Sequence, residues 1–254
     1  MELIDTHCHL DDERLRASLE GVLTRAAQTG ITHCIIPGVH RQQWEWLEKI
    51  SPLYNSPITI YFAFGLHPWY CARHSESDLA ALSEKAPNAV AIGECGLDFS
   101  PNKPDVDRQL HFFRQQLQIA SDHSLPVIIH AVRALDITSR ELRHFPTLNG
   151  VIHGYTGSFE QASRLIRQGF RIGIGSYVTS RKARNLHEVV RKLPLESLLL
   201  ETDAPDRPGF EHRGKLNEPA YLTEVVHFIA KLRKNTPEQI AEACNQNAKE
   251  LFAI

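Results

Sequence analysis

Eight times along this chain a short apolar run of strand length gives way to a segment whose apolar residues recur at helical spacing, and that alternation leaves few folds open. The runs are Leu3–Ile4, Ile31–Pro37, Ile58–Phe64, Ala89–Ile92, Pro126–Ile129, Gly150–Ile152, Arg171–Ile174 and Leu198–Leu200. Between them, Asp11 to Gly30 carries Leu15, Leu19, Val22, Leu23 and Ala26 on one face, with Gly30 where a helix stop belongs. Asp105 to Ser124 predicts the longest helix, with Val106, Leu110, Phe113, Leu117 and Ala120 as its buried stripe. Helices are also predicted over 41–50, 75–85, 134–144, 158–169, 183–193 and 221–234, and Thr236-Pro237-Glu238 opens a last one with proline at the first helical position. Strands joined by crossover helices lie parallel, and with no linker or low-complexity break residues 1–254 form one domain, a single (β/α)8 TIM barrel with an extra C-terminal helix.

In such barrels the chemistry sits where strands end at their C-terminal side, and here apolar runs repeatedly break into a His, Glu or Asp. The first run passes into His7-Cys8-His9; in an extended strand alternate side chains share a face, so His7 and His9 point together and Cys8 away. A lone pair of this kind is more often solvated than metallated. His67, His130 and His153 stand at later strand ends, as do the carboxylates Glu94 and Asp203. Imidazoles and carboxylates converging on one axis are too polar for a core and suit a divalent cation. His33 lies inside its strand and reads as a core or barrel-lining residue. Cys95, beside Glu94, has no separate base and is turned away by alternation, so it is not read as a nucleophile. Trp44 reads as core and Trp69, next to His67, as site rim.

Composition narrows the class. Of 254 residues 42% are hydrophobic and 23% charged, ordinary for a globular protein. The five cysteines are scattered without a C-x-x-C, which predicts reduced thiols, and no run reaches the roughly 18 apolar residues of a membrane span. A strand begins almost at Met1, leaving no room for a signal peptide, so the cytoplasm is the expected compartment. The net charge of −2 argues against binding nucleic acid through a broad basic surface, so a phosphate-bearing substrate has to be gripped by local groups. No heptad or long apolar edge invites assembly, and a monomer is expected.

Six ordered stretches, Asp5-Thr6-His7-Cys8-His9, Gly65-Leu66-His67-Pro68, Gly93-Glu94-Cys95-Gly96-Leu97-Asp98, His153-Gly154-Tyr155-Thr156-Gly157, Glu201-Thr202-Asp203-Ala204-Pro205 and Gly214-Lys215-Leu216-Asn217-Glu218-Pro219, together resemble the TatD-type metal-dependent hydrolases of the amidohydrolase superfamily. The resemblance spans essentially the whole chain. It implies a phosphodiesterase or deoxyribonuclease of exonuclease type that uses a metal-activated water, with hydrolysis of another ester or amide, such as a D-aminoacyl-tRNA, as the alternative. It implies two divalent ions, of a kind the residues do not choose between: His7, His9 and Asp203 would hold one, His130 and His153 the second, and Glu94 both. Asp203 would also be the general base. His67 corresponds to a contact with substrate phosphate. The family usually carries an arginine two residues after the fifth-strand histidine, whereas here Arg133 comes third. After Ala204-Pro205 its usual aromatic-apolar pair is replaced by Asp206-Arg207. Arg133 and Lys215 are the expected substrate contacts, with Arg181 and Lys182 as further basic groups in the upper loops. Nucleic acid or another phosphate ester is the expected partner.

Overall fold

A computed structural model describes residues 1–50, 57–101 and 105–254. Eight parallel strands follow one another around a barrel in chain order: β1 (Leu3–Asp5), β2 (Ile31–Gly38), β3 (Thr59–Phe64), β4 (Ala91–Asp98), β5 (Val127–Val132), β6 (Gly150–Ile152), β7 (Phe170–Ile174) and β8 (Leu198–Leu200). The two ends of the sheet meet just beyond β8. Thr6 N donates to Leu200 O at 3.0 Å, Asp203 N to His7 O at 2.9 Å and His9 N to Ala204 O at 2.7 Å. The same bonds that close the barrel thus fix Asp203 against His7 and His9.

Ten helices wrap the described barrel: α1 (Glu13–Arg16), α2 (Leu19–Gln28), α3 (Arg41–Ile50), α4 (Glu76–Lys85), α5 (Val106–Asp122), α6 (Leu135–Leu142), α7 (Phe159–Arg167), α8 (Arg184–Lys192), α9 (Leu222–Arg233) and α10 (Pro237–Phe252). The segment from Asp11 to Gly30 is two helices rather than one. Asp12 caps the first, and Ser18 leaves the helical path with φ −125° and ψ 15° while its hydroxyl donates back to Leu15 O. Strand alternation divides the core in two. Ile4, Ile35, Ala63, Ala91, Ile128, Val151 and Leu199 fill the barrel, while Cys8, Cys34, Ile36, Cys95 and Ile129 face the helices together with Trp44.

The extra C-terminal helix closes the bottom of the barrel. Ala248, Leu251 and Phe252 of α10 pack onto the interior layer, and Asn245 and Asn247 satisfy backbone groups at the entries of β1 and β8. Thr236 and Gln239 form a reciprocal cap at its start. Phe252→Ala opens a void against this floor and lowers stability by about 3–5 kcal/mol, read as a lower denaturation midpoint at unchanged m-value.

Helix α5 is rotated from the expected stripe. Val106 is exposed, and Gln109 and Gln116 are buried beside Phe112, Phe113 and Leu117. Each glutamine amide clamps one backbone residue: Gln116 accepts from Leu66 N at 2.7 Å and donates to Leu66 O at 3.0 Å, and Gln109 does the same for Asp98 at 2.8 and 3.0 Å. The clamped residues sit beside or within the site. Gln116→Leu leaves both Leu66 groups buried without a partner, which costs about 1–3 kcal/mol for each; the measurable outcome is a lower melting temperature together with reduced turnover, because Leu66 carries His67. Among the described residues no helix is long and apolar enough to cross a membrane.

Candidate metal centre

At the C-terminal ends of the strands a cavity of about 1040 Å³ opens, lined by His9, His67, Glu94, His130, His153 and Asp203 and walled by Arg14, Trp69 and Arg207. Glu94 is its centre. The side chain is buried, and its two oxygens face different imidazoles. Oε2 lies 3.3 Å from His7 Nε2 and 3.6 Å from His9 Nε2; Oε1 lies 2.9 Å from His130 Nδ1, 3.2 Å from His67 Nε2 and 3.4 Å from His153 Nε2. Glu94 reaches this position because β4 continues to Asp98 instead of ending at Ile92. That course needs Gly96, whose φ is +138° and where a Cβ would stand 2.0 Å from His130 O.

On the Oε2 side, His7 Nε2 and His9 Nε2 are 3.2 Å apart, and Asp203 Oδ1 lies 3.8 and 3.7 Å from them. Asp203 adopts a left-handed φ of +59°, a conformation that Asp and Asn tolerate best after glycine. Its side chain is 18% exposed and opens onto the cavity. His7 also stacks on His153, centroids 3.6 Å apart, and these two rings with Asp203 make another group of three donors within reach of a common point.

On the other side, carboxylates outside the cluster orient the rings. His153 Nδ1 is 3.2 Å from Glu201 Oε1, which also accepts from Gly154 N at 2.5 Å, so the proton sits on Nδ1 and Nε2 is turned toward Glu94. A Cβ on Gly173 would meet Glu201 Oε2 at 2.4 Å, and the glycine makes room for it. His130 is held between Glu94 and Asp98, with Nε2 3.2 Å from Asp98 Oδ2. Asp98 also accepts from Trp69 Nε1 at 2.5 Å. His67 differs from the rest: its Nδ1 accepts from Trp69 N at 3.1 Å, so the neutral ring carries its proton on Nε2 and donates toward Glu94.

The electrostatics show what the cluster lacks. Burial alone raises the Glu94 pKa, but His67, His153 and His7 outweigh it and hold the carboxyl well below its ordinary value. Burial likewise opposes charge on His153, yet Glu201, Glu94 and Asp203 push its pKa up to about 10. His67, buried and with His130 beside it, is pulled down to about 4 despite Glu94 and stays neutral. The carboxylates therefore draw protons onto rings whose lone pairs converge. A divalent cation matches that set of donors and supplies the positive charge these protons provide.

Comparison with known proteins agrees with this chemistry. Residues 4–253 match the family model described as TatD related DNase. The chain belongs to that family. It is 37% identical to an uncharacterized metal-dependent hydrolase, YjjV of Escherichia coli, across 99% of this chain and 98% of that one. The crystal structure of that TatD homolog superposes with a TM-score of 0.93 at 35% identity, covering 99% of this chain and 98% of that one. A protein of Erwinia billingiae described as the 3′-5′ ssDNA/RNA exonuclease TatD is 32% identical, with 99% of each chain covered. The chain is accordingly a metal-dependent hydrolase of the TatD family.

The fold brings His7, His9, Glu94, His130, His153 and Asp203 within reach of one another, and places His67, expected as a phosphate contact, against Glu94 inside the cluster. It does not bring Arg133 or Lys215 there. Arg133 is exposed just past β5 with φ +54° and is not part of the cavity wall; Lys215 is exposed in the loop after β8 and likewise lies off it. Arg14 and Arg207 occupy that wall instead. The Asp206-Arg207 departure has a structural basis: Asp206 accepts from Arg14 at 2.8 and 3.0 Å, tying the loop after β8 to α1, and Arg207 Nε lies 4.0 Å from Asp203 Oδ2. Sequence reading gave no role to Asp98 and Glu201. A signal for Asp98 existed, since it is four residues beyond Glu94 on one strand face. Cys95 faces the helices, Trp44 is buried, Trp69 stands at the rim, and His33 stacks on Tyr61 away from the cavity.

Proposed function

We infer that this chain is a divalent-metal-dependent phosphodiesterase that cleaves nucleic acid, attacking from strand ends. The observation that carries this is the division of Glu94, with His7 and His9 on one oxygen and His130, His67 and His153 on the other. In this reading His7, His9, Asp203 and Glu94 hold one divalent ion and Glu94, His130 and His153 a second. The chemistry such ions supply is activation of water and neutralisation of charge on a phosphoryl oxygen. Asp203 accepts the proton of the attacking water. It is suited to this because it opens onto the cavity and because His153, His7 and His9, against the effect of burial, keep it ionised. His67 lines the same cavity with its Nε2 proton turned toward Glu94 Oε1 at 3.2 Å, beside the place a phosphate would enter, and Arg207 presents a positive wall to the entering strand. The exonuclease named among the relatives supports nucleic acid as substrate.

Protein purified without chelator should contain divalent metal by elemental analysis and should shorten single-stranded oligonucleotides; dialysis against chelator should abolish this, and restoring the metal should return it. Release of amino acid from charged tRNA, with oligonucleotides left intact under every divalent ion, would replace the nuclease reading with the deacylase alternative.

A further inference from the structure

Beside the metal centre lies a second cavity of about 420 Å³, lined among others by Thr156, Tyr177, Phe210 and Arg213. Arg207 lines both cavities, so the two are neighbours on either side of one side chain. On the walls of the second cavity two large rings stand in the open, Phe210 45% and Tyr177 42% exposed. The guanidinium of Arg213 lies 4.4 Å from the Phe210 centroid and that of Arg181 5.9 Å from it. Among the described residues neither arginine is paired with a carboxylate. The Glu224 carboxylate accepts from Glu211 N at 3.1 Å, and neither Glu211 nor Glu224 lines the cavity. The loop holding Phe210 is anchored, since Phe210 N donates to Thr179 Oγ1 at 2.8 Å and Asn217 Nδ2 ties the same loop to Thr202 O and Asp206 O.

Exposed aromatic faces flanked by unpaired guanidiniums match a single strand of nucleic acid, whose bases stack on rings and whose phosphates pair with arginine. The chain is slightly acidic overall, so this local concentration of positive charge is not a general surface property. We propose that this cavity is a nucleotide subsite for a single strand whose neighbouring phosphate lies in the metal centre, with Phe210 and Tyr177 stacking a base and Arg181 and Arg213 holding the backbone. The proposal rests on the nuclease reading only for the reaction at the neighbouring phosphate; the binding can be read separately.

The test uses the metal-loaded protein with a fluorescent single-stranded phosphorothioate oligonucleotide for binding, the ordinary oligonucleotide for turnover, and bis(4-nitrophenyl) phosphate as a diester too small to span both cavities. Phe210→Ala, at an exposed position, should weaken oligonucleotide binding by roughly tenfold, as the loss of one stacked base does. It should raise KM for the oligonucleotide with little change in kcat and leave the small diester unaffected. Arg213→Gln should weaken binding and flatten its dependence on salt, the sign of a lost phosphate contact. If both variants bind and cleave the oligonucleotide as the parent does, the subsite is wrong while the nuclease reading stands. Oligonucleotide that binds, is not cleaved, and is lost on Phe210→Ala supports the subsite and overturns the nuclease reading. A parent chain that does not bind the strand overturns both.

Discussion

Asp203→Asn should lower turnover by roughly 10²- to 10⁴-fold, the range for loss of a general base, while most of the metal stays bound. The substitution keeps the side chain's size and one ligating oxygen. It also keeps the backbone, because asparagine accepts the left-handed φ of +59° that residue 203 adopts, and the bond from its N–H to His7 O does not involve the side chain. What disappears is the carboxylate that His153, His7 and His9 hold ionised. Metal content and turnover measured on one preparation decide the matter. Near-normal turnover at full metal occupancy would show that the proton leaves by another route, through solvent or the substrate phosphate.

Glu94→Gln should behave differently although it too replaces an acidic side chain with its amide. Glu94 is buried, places both oxygens among five imidazoles and contributes the negative charge at the centre of the cluster. An amide offers one carbonyl oxygen and no charge, so one set of histidines loses its shared acceptor. Even carboxylates that only support ligands are worth roughly 10- to 100-fold in metal affinity, and the loss here should be at least that large. Metal content and activity should therefore fall together, and activity should recover in part as metal concentration is raised. Activity lost at unchanged metal content would remove Glu94 from the proposed ligand set and leave it a role in proton transfer alone.

Asp98 and Glu201 give a milder version of the same contrast. Each holds an imidazole by the ring nitrogen opposite the one that faces Glu94 Oε1. Burial works against the Asp98 charge, yet hydrogen bonds from His130, Ser100 and Trp69 keep its carboxyl far below the usual range, so the acceptor for His130 is present at every working pH.

The sequence alone determined the class of fold and which residues stand at the strand ends. Alternation of period 2 and period 3.6 segments is local information, and it names the strands, most of the helices and the residues at each strand's end without knowledge of any neighbour. What depends on distance through space was decided only by tertiary structure. The rotation of α5 placed Gln109 and Gln116 inward because the buried backbone of Asp98 and Leu66 needed partners, a demand no feature of the helix's own sequence expresses. His67 joined the cluster because Leu66 is clamped and Trp69 N–H fixes the ring, whereas the loop sequence marked it only as near a strand end. Arg133 and Lys215 were expected at the substrate by their place in the chain. Their local paths, a left-handed turn after β5 and an exposed loop after β8, carry them off the wall that Arg14 and Arg207 occupy. Strand pattern says which end of the barrel a side chain reaches; only closure of β1 onto β8 and the packing of the loops decide which side chains meet there.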